Sequence, residues 1–190
     1  MEIWDHRGRR FALNSLYQLP EDSWSYDLTE YSQQSDHTVG LAITIPDATP
    51  DGPFTPQDET LAVTWLHTGN LPWPIVRRFA EFLDATGDLV ATNTALQVTG
   101  DLNLSANTWR YGDQTFEVNS FHFGDRATWC YEIYETSNPT EDNNYIDIQI
   151  PDMNPDSGPF KPGPSHSVAL NIHGEWSMPW PVFRHFLNTV

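Results

Sequence analysis

The chain repeats itself. Trp24-Ser25-Tyr26-Asp27-Leu28-Thr29-Glu30 is matched by Trp129-Cys130-Tyr131-Glu132-Ile133-Tyr134-Glu135, an offset of 105 residues. The same offset carries Trp4 to Trp109, Phe11, Asn14 and Ser15 to Phe116, Asn119 and Ser120, and Ile43-Thr44-Ile45-Pro46-Asp47 to Ile148-Gln149-Ile150-Pro151-Asp152. One inserted residue brings Gly52-Pro53-Phe54 onto Gly158-Pro159-Phe160. A second brings Pro72-Trp73-Pro74-Ile75-Val76-Arg77 onto Pro179-Trp180-Pro181-Val182-Phe183-Arg184. So many matches in order, with two single-residue slips, read as a tandem duplication, which limits the fold to one built from two similar units.

Each unit reads as antiparallel strands followed by one C-terminal helix. Trp24, Tyr26 and Leu28 alternate with small or polar residues, the period of a half-buried strand, and Leu41, Ile43 and Ile45 do the same. Pro46 and Pro151 end their strands because proline has no N–H for the ladder. A shorter apolar strand is expected at 61–66 and its match at 168–172. The helix begins at Pro-Trp-Pro, since the first helical turn tolerates proline. Ile75, Val76, Phe79, Phe82 and Leu83 then form one stripe, as do Val182, Phe183, Phe186, Leu187 and Val190, and Gly87 is a natural stop for the first helix. The expected organisation is α+β: a first unit at 1–87, a connector at 88–106 with a candidate strand at 96–104, and a second unit at 107–190. Together they are expected to form one compact pseudo-symmetric domain, joined by a continuous sheet or a pseudo-twofold contact.

Charge restricts the function. Against 26 acidic residues the 190-residue chain carries 9 basic ones, a formal net charge of −17. Phosphate would be repelled, which argues against nucleic acid as partner, and a polybasic membrane contact is absent for the same reason. Salt adaptation would give a densely charged surface, yet charged residues are only 18% of the chain, below the roughly 25% of ordinary domains. The N-terminus lacks an apolar signal-peptide core, no run approaches a membrane span, and Cys130 is the sole cysteine, so a cytoplasmic protein is expected.

Catalytic constellations are weakly represented. Glu30 and Glu135 occupy equivalent strand ends and would suit a glycosidase pair only if the fold faced them across a cleft. The loops Pro46-Asp47-Ala48-Thr49-Pro50-Asp51-Gly52 and Pro151-Asp152-Met153-Asn154-Pro155-Asp156-Ser157-Gly158 carry oxygen ligands, but they lack an EF-hand's interleaved set, and Pro-Asp is ordinary turn chemistry. His67 and His173 fall at near-equivalent places without zinc-ligand spacing. Cys130 stands where the first unit has Ser25 and reads as a small residue in a sheet. No enzyme activity, metal or cofactor is therefore expected. Most aromatic residues recur between the units and read as packing. Trp65 and Trp176 do not recur, and Trp176 is read in a polar turn, Gly174-Glu175-Trp176-Ser177, as an exposed anchor.

Acidity, exposed aromatic residues and a duplicated scaffold suit the binding of a basic protein. The chain resembles immunity proteins of bacterial polymorphic-toxin systems, in particular antitoxins of secreted NAD-glycohydrolase toxins. The resemblance rests on Gly69-Asn70-Leu71-Pro72-Trp73-Pro74-Ile75-Val76-Arg77-Arg78-Phe79, which looks like their proline-started helix. It implies a small acidic α+β inhibitor that plugs the cleft of a cognate toxin in the producing cell; carbohydrate binding and another protein-interaction role are the alternatives. From charge and exposure, the expected contact residues are Asp36, Asp47 and Asp51, their matches Glu141, Asp152 and Asp156, and Trp176.

Overall fold

A computed structural model describes residues 1–31, 40–91, 107–124, 127–137, 144–155 and 158–190. The first unit contributes β1 (Glu2–His6), β2 (Arg9–Gln18), β3 (Ser23–Glu30), β4 (Gly40–Pro46), β5 (Val63–Leu66), β6 (Gly69–Pro72) and α1 (Trp73–Thr86). The second contributes β7 (Asn107–Tyr111), β8 (Gln114–Phe123), β9 (Thr128–Glu135), β10 (Tyr145–Pro151), β11 (Ala169–His173), β12 (Trp176–Pro179) and α2 (Trp180–Thr189). The α+β class follows directly: antiparallel strands and two helices, one of them closing the chain. The connector strand expected at 96–104 lies outside the described residues.

The strands form two six-stranded sheets, ordered β1-β2-β3-β4-β5-β12 and β6-β11-β10-β9-β8-β7. Each sheet is therefore completed by a strand from the other unit. Trp176 to Pro179 pair with Leu66 to Val63, and Gly69 to Pro72 pair with Ile172 to Ala169. The helix starts are tied in the same reciprocal way: Trp73 N–H donates to Val168 C=O at 3.0 Å and Trp180 N–H to Ala62 C=O at 2.9 Å. The junction is thus an exchange of strands and not a continuous sheet. Matching residues keep matching registers within the two sheets: Phe11 sits opposite Glu30 and Phe116 opposite Glu135, Trp24 opposite Ile45 and Trp129 opposite Ile150.

Each helix turns back over its own unit's sheet. Phe82 on α1 meets Trp4 and Tyr26, and Phe186 on α2 meets Trp109. The apolar stripes expected from sequence are the buried faces, except that Phe82 is only partly buried and Val190 follows α2 and is exposed. Gly87 ends α1 at φ 76°, a left-handed conformation glycine adopts without strain. Trp24 packs on Phe54 at 5.5 Å and Trp129 on Phe160 at 5.4 Å, so the recurring aromatic residues are packing residues.

Asp47 and Asp152 organise the loops after β4 and β10. Asp47 Oδ1 accepts the N–H groups of Thr49 (2.9 Å) and Thr55 (3.0 Å), and Oδ2 accepts the Tyr17 hydroxyl at 3.0 Å. Asp152 Oδ1 accepts the N–H groups of Asn154 and Lys161, and its Oδ2 lies 3.3 Å from His122 Nε2. Burial opposes ionisation of Asp47, but these donors outweigh it and hold the carboxyl below its ordinary value. At Asp152 the Asn154 N–H leads, against burial, with the same result. A depressed carboxyl pKa stabilises the fold above the unfolded value of about 3.9, and that stability is lost as pH falls through the folded value. Acid titration followed by near-UV circular dichroism should show tertiary structure lost below about pH 4, with a shallower pH dependence in Asp47→Asn.

Candidate functional site

The outer face of the first sheet, away from α1, is a cleft of about 1140 Å³. Its floor is small and polar because the outward positions of β3 and β4 are Ser25, Asp27 and Thr29, then Gly40, Ala42 and Thr44. Strand alternation puts these on the face opposite Tyr26, Leu28, Leu41 and Ile43, which are buried against the core. Trp65 on β5 forms one wall and is 46% exposed, although its N–H is anchored to Thr44 Oγ1 at 3.0 Å. His67, Thr68 and Glu175 close that side, while Gln18 and Glu21 stand at the other end. His67 Nδ1 lies 4.0 Å from Glu175 Oε1, both exposed.

Among the described residues three carboxylates line this cleft, Glu21, Asp27 and Glu175, and no lysine or arginine does. Four basic side chains elsewhere are paired within the fold: Arg9 with Glu30, Arg10 with Asp5, Arg78 with Glu2, and Arg184 with Asp84 and Glu59. Ser25 donates to Asp27 Oδ1 at 2.6 Å, so the hydroxyl fixes this cleft-lining carboxylate, while Oδ2 has no hydrogen-bond partner among the described residues.

The same face of the second sheet is filled. Registers place Cys130, Glu132 and Tyr134 where the first sheet has Ser25, Asp27 and Thr29, and Tyr145, Asp147 and Gln149 where it has Gly40, Ala42 and Thr44. Asn171 replaces Trp65. Asp147 is only 3% exposed and accepts from Asn171 Nδ2 at 2.7 Å and His173 Nε2 at 2.8 Å, while the His173 ring stacks on Tyr145 at 4.0 Å. Asn70, exchanged in on β6, continues this row by donating to Asn171 Oδ1. Burial pushes the Glu132 carboxyl above its ordinary value, and the neighbouring Asp147 adds to that. Burial also pushes the Cys130 thiol up to about 12, with Asp147 and Glu132 reinforcing it. A thiol so placed is inert at neutral pH. Ellman's reagent should leave native protein unlabelled over an hour and titrate one thiol after denaturation.

The residues expected to form the site are distributed differently. Asp47 and Asp152 are turned into their own loops, with hydrogen-bond donors already on both carboxylate oxygens. Asp51 is exposed at its loop tip. Asp36, Glu141 and Asp156 lie outside the described residues. Trp176 is not in a turn: it opens β12 opposite Leu66, half-buried, with its ring packed against the core. Trp65, unrepeated between the units, stands with Asp27 and His67 in this cleft, a grouping that no local sequence pattern signals.

Arg9 Nε and a terminal nitrogen each bond Glu30 at 2.7 Å, and Ser137 and Gln114 bond Glu135, so each carboxylate is held by neighbours on its own sheet. Among the described residues no three His, Cys, Asp or Glu side chains are grouped to hold a metal ion. No helix among them is long and apolar enough to cross a membrane. Compared with known families, curated proteins and solved structures, the chain matches none.

Proposed function

We propose that this protein is a non-catalytic cytoplasmic binder of a basic protein, of the kind an immunity protein is to its toxin, and that the outer face of the first sheet is its docking surface. The observation that carries the reading is the cleft itself: three carboxylates and an exposed indole, without one lysine or arginine among its described lining residues. Such a surface attracts a cationic cleft at long range, and a large aromatic side chain slows dissociation once contact is made. The net charge of −17 extends the same attraction beyond the site. Inhibition then needs no cofactor, because seating an acidic face in a basic cleft excludes substrate by volume and charge.

The test is capture followed by rescue. Wild-type protein and Trp65→Ala are used in parallel as baits in the producing cell, and any basic protein retained only by wild type is expressed alone. The reading predicts that this protein arrests growth and that co-expressed wild type restores it, whereas Trp65→Ala does not. A retained protein that is harmless alone would contradict the toxin assignment.

A second reading has one observation in its favour. An exposed indole beside Asp27, His67 and the Thr29, Thr44 and Thr68 hydroxyls is also a way to hold a sugar ring. A neutral sugar donates its hydroxyls to carboxylates, but it gains no long-range attraction from their charge. Binding of an oligosaccharide panel, insensitive to salt and lost in Trp65→Ala, would favour it.

A further inference from the structure

The two sheets present the same face in two states, and the difference between them defines a slot. In the second sheet the row Glu132–Asp147–Asn171 runs across β9, β10 and β11 with adjacent residues opposite one another. Its centre is occupied by the Asp147 carboxylate, satisfied by His173 and Asn171. In the first sheet the matching row is Asp27–Ala42–Trp65. Its centre is a methyl group, and Gly40 beside it leaves the floor open. Strands lie about 4.8 Å apart, so the backbones of Asp27 and Trp65 are separated by about 10 Å across Ala42. That gap suits one planar group lying between a carboxylate and an indole.

We infer that the space over Ala42, between Asp27 and Trp65, is the receptor for an arginine side chain of the partner. This inference rests on the proposed reading of the cleft as a docking surface for a basic protein. The guanidinium donates to Asp27 Oδ2, the oxygen that Ser25 leaves without a hydrogen bond, and lays its face or edge on the Trp65 ring. The anchoring of the indole N–H to Thr44 holds the ring in place before the ligand arrives. Glu21 and Glu175 at the two ends add attraction without needing contact. Lysine fits less well, because its compact ammonium has no planar face to lay on the ring while it donates to the carboxylate. The second sheet cannot bind in this way, because its own Asp147, His173 and Tyr145 take up the equivalent space.

The test uses full-length protein labelled with nitrogen-15 and the blocked tripeptide acetyl-Gly-Arg-Gly-amide at low salt. Lysine and citrulline versions serve as controls. The Trp65 indole signal is identified by its loss in Trp65→Phe. The expected result is a saturable shift of that signal by the arginine peptide, about tenfold weaker or more in Asp27→Asn. Citrulline should produce none, and Ala42→Leu, which fills the slot without altering charge, should remove the response. If Ala42→Leu does not fold, the isosteric Asp27→Asn variant and the citrulline control decide the matter. An arginine peptide that binds elsewhere, leaving the Trp65 signal unmoved, overturns the slot while leaving a basic partner acceptable. A Trp65 shift by a neutral oligosaccharide but not by the arginine peptide overturns both.

Discussion

Replacing Trp180 with alanine is expected to lower the melting temperature by about 10 °C, and the damage should reach the unit that does not contain it. Trp180 is fully buried at the start of α2, where its backbone N–H, which alanine keeps, bonds the carbonyl of Ala62 in the first unit. Removing a buried tryptophan costs about 3–5 kcal/mol through lost burial and the cavity left behind. Each kcal/mol moves the midpoint of a chain this size by roughly 2–4 °C. The location of the effect is the more discriminating part. Because β12 leads directly into α2 and pairs with β5, amide exchange should accelerate at Val63 to Leu66 as well as in the second unit. Exchange confined to 107–190 would mean that the two units hold themselves up separately.

Replacing Trp65 with alanine should do the reverse. Nearly half of this side chain is exposed, and its loss is expected to leave the midpoint within about 2 °C. Affinity for the basic partner should fall about thirtyfold or more, the cost of truncating a central aromatic anchor. Asp27→Asn should weaken binding as well and flatten its dependence on salt. Trp176→Ala provides the contrast, since its ring packs on the core beside Leu66. That variant should lose stability and keep the affinity of whatever protein still folds. A Trp65 variant that bound normally while Trp176→Ala did not would return the interface to the turn-borne aromatic residue expected from sequence.

The long strands and both helices were legible in the sequence because alternation and helical stripes are local signals, here written twice. The exchange of β6 and β12 was not. Gly69-Asn70-Leu71-Pro72 and Trp176-Ser177-Met178-Pro179 are four residues each, too short to carry a period, and their partners lie about one unit away along the chain. The local role of Asp47 and Asp152 was hidden for a related reason. Asp47 and Asp152 recur because a loop needs an acceptor for two N–H groups, and a carboxylate used in this way looks on paper like one displayed to solvent. The cleft was hidden because it arises from differences between the units, Ala42 for Asp147 and Trp65 for Asn171, whereas a repeat is visible only through identities.

The account stands on the first sheet's outer face being the surface that meets the partner. Differential amide hydrogen exchange, with and without the captured basic protein, reads this most directly. Protection is expected along Ser25 to Thr29, Gly40 to Thr44 and Trp65 to Thr68, with the filled face of the second sheet unchanged. Protection restricted to Cys130 to Tyr134 and Tyr145 to Gln149, or to the Asp47 and Asp152 loops, would contradict it.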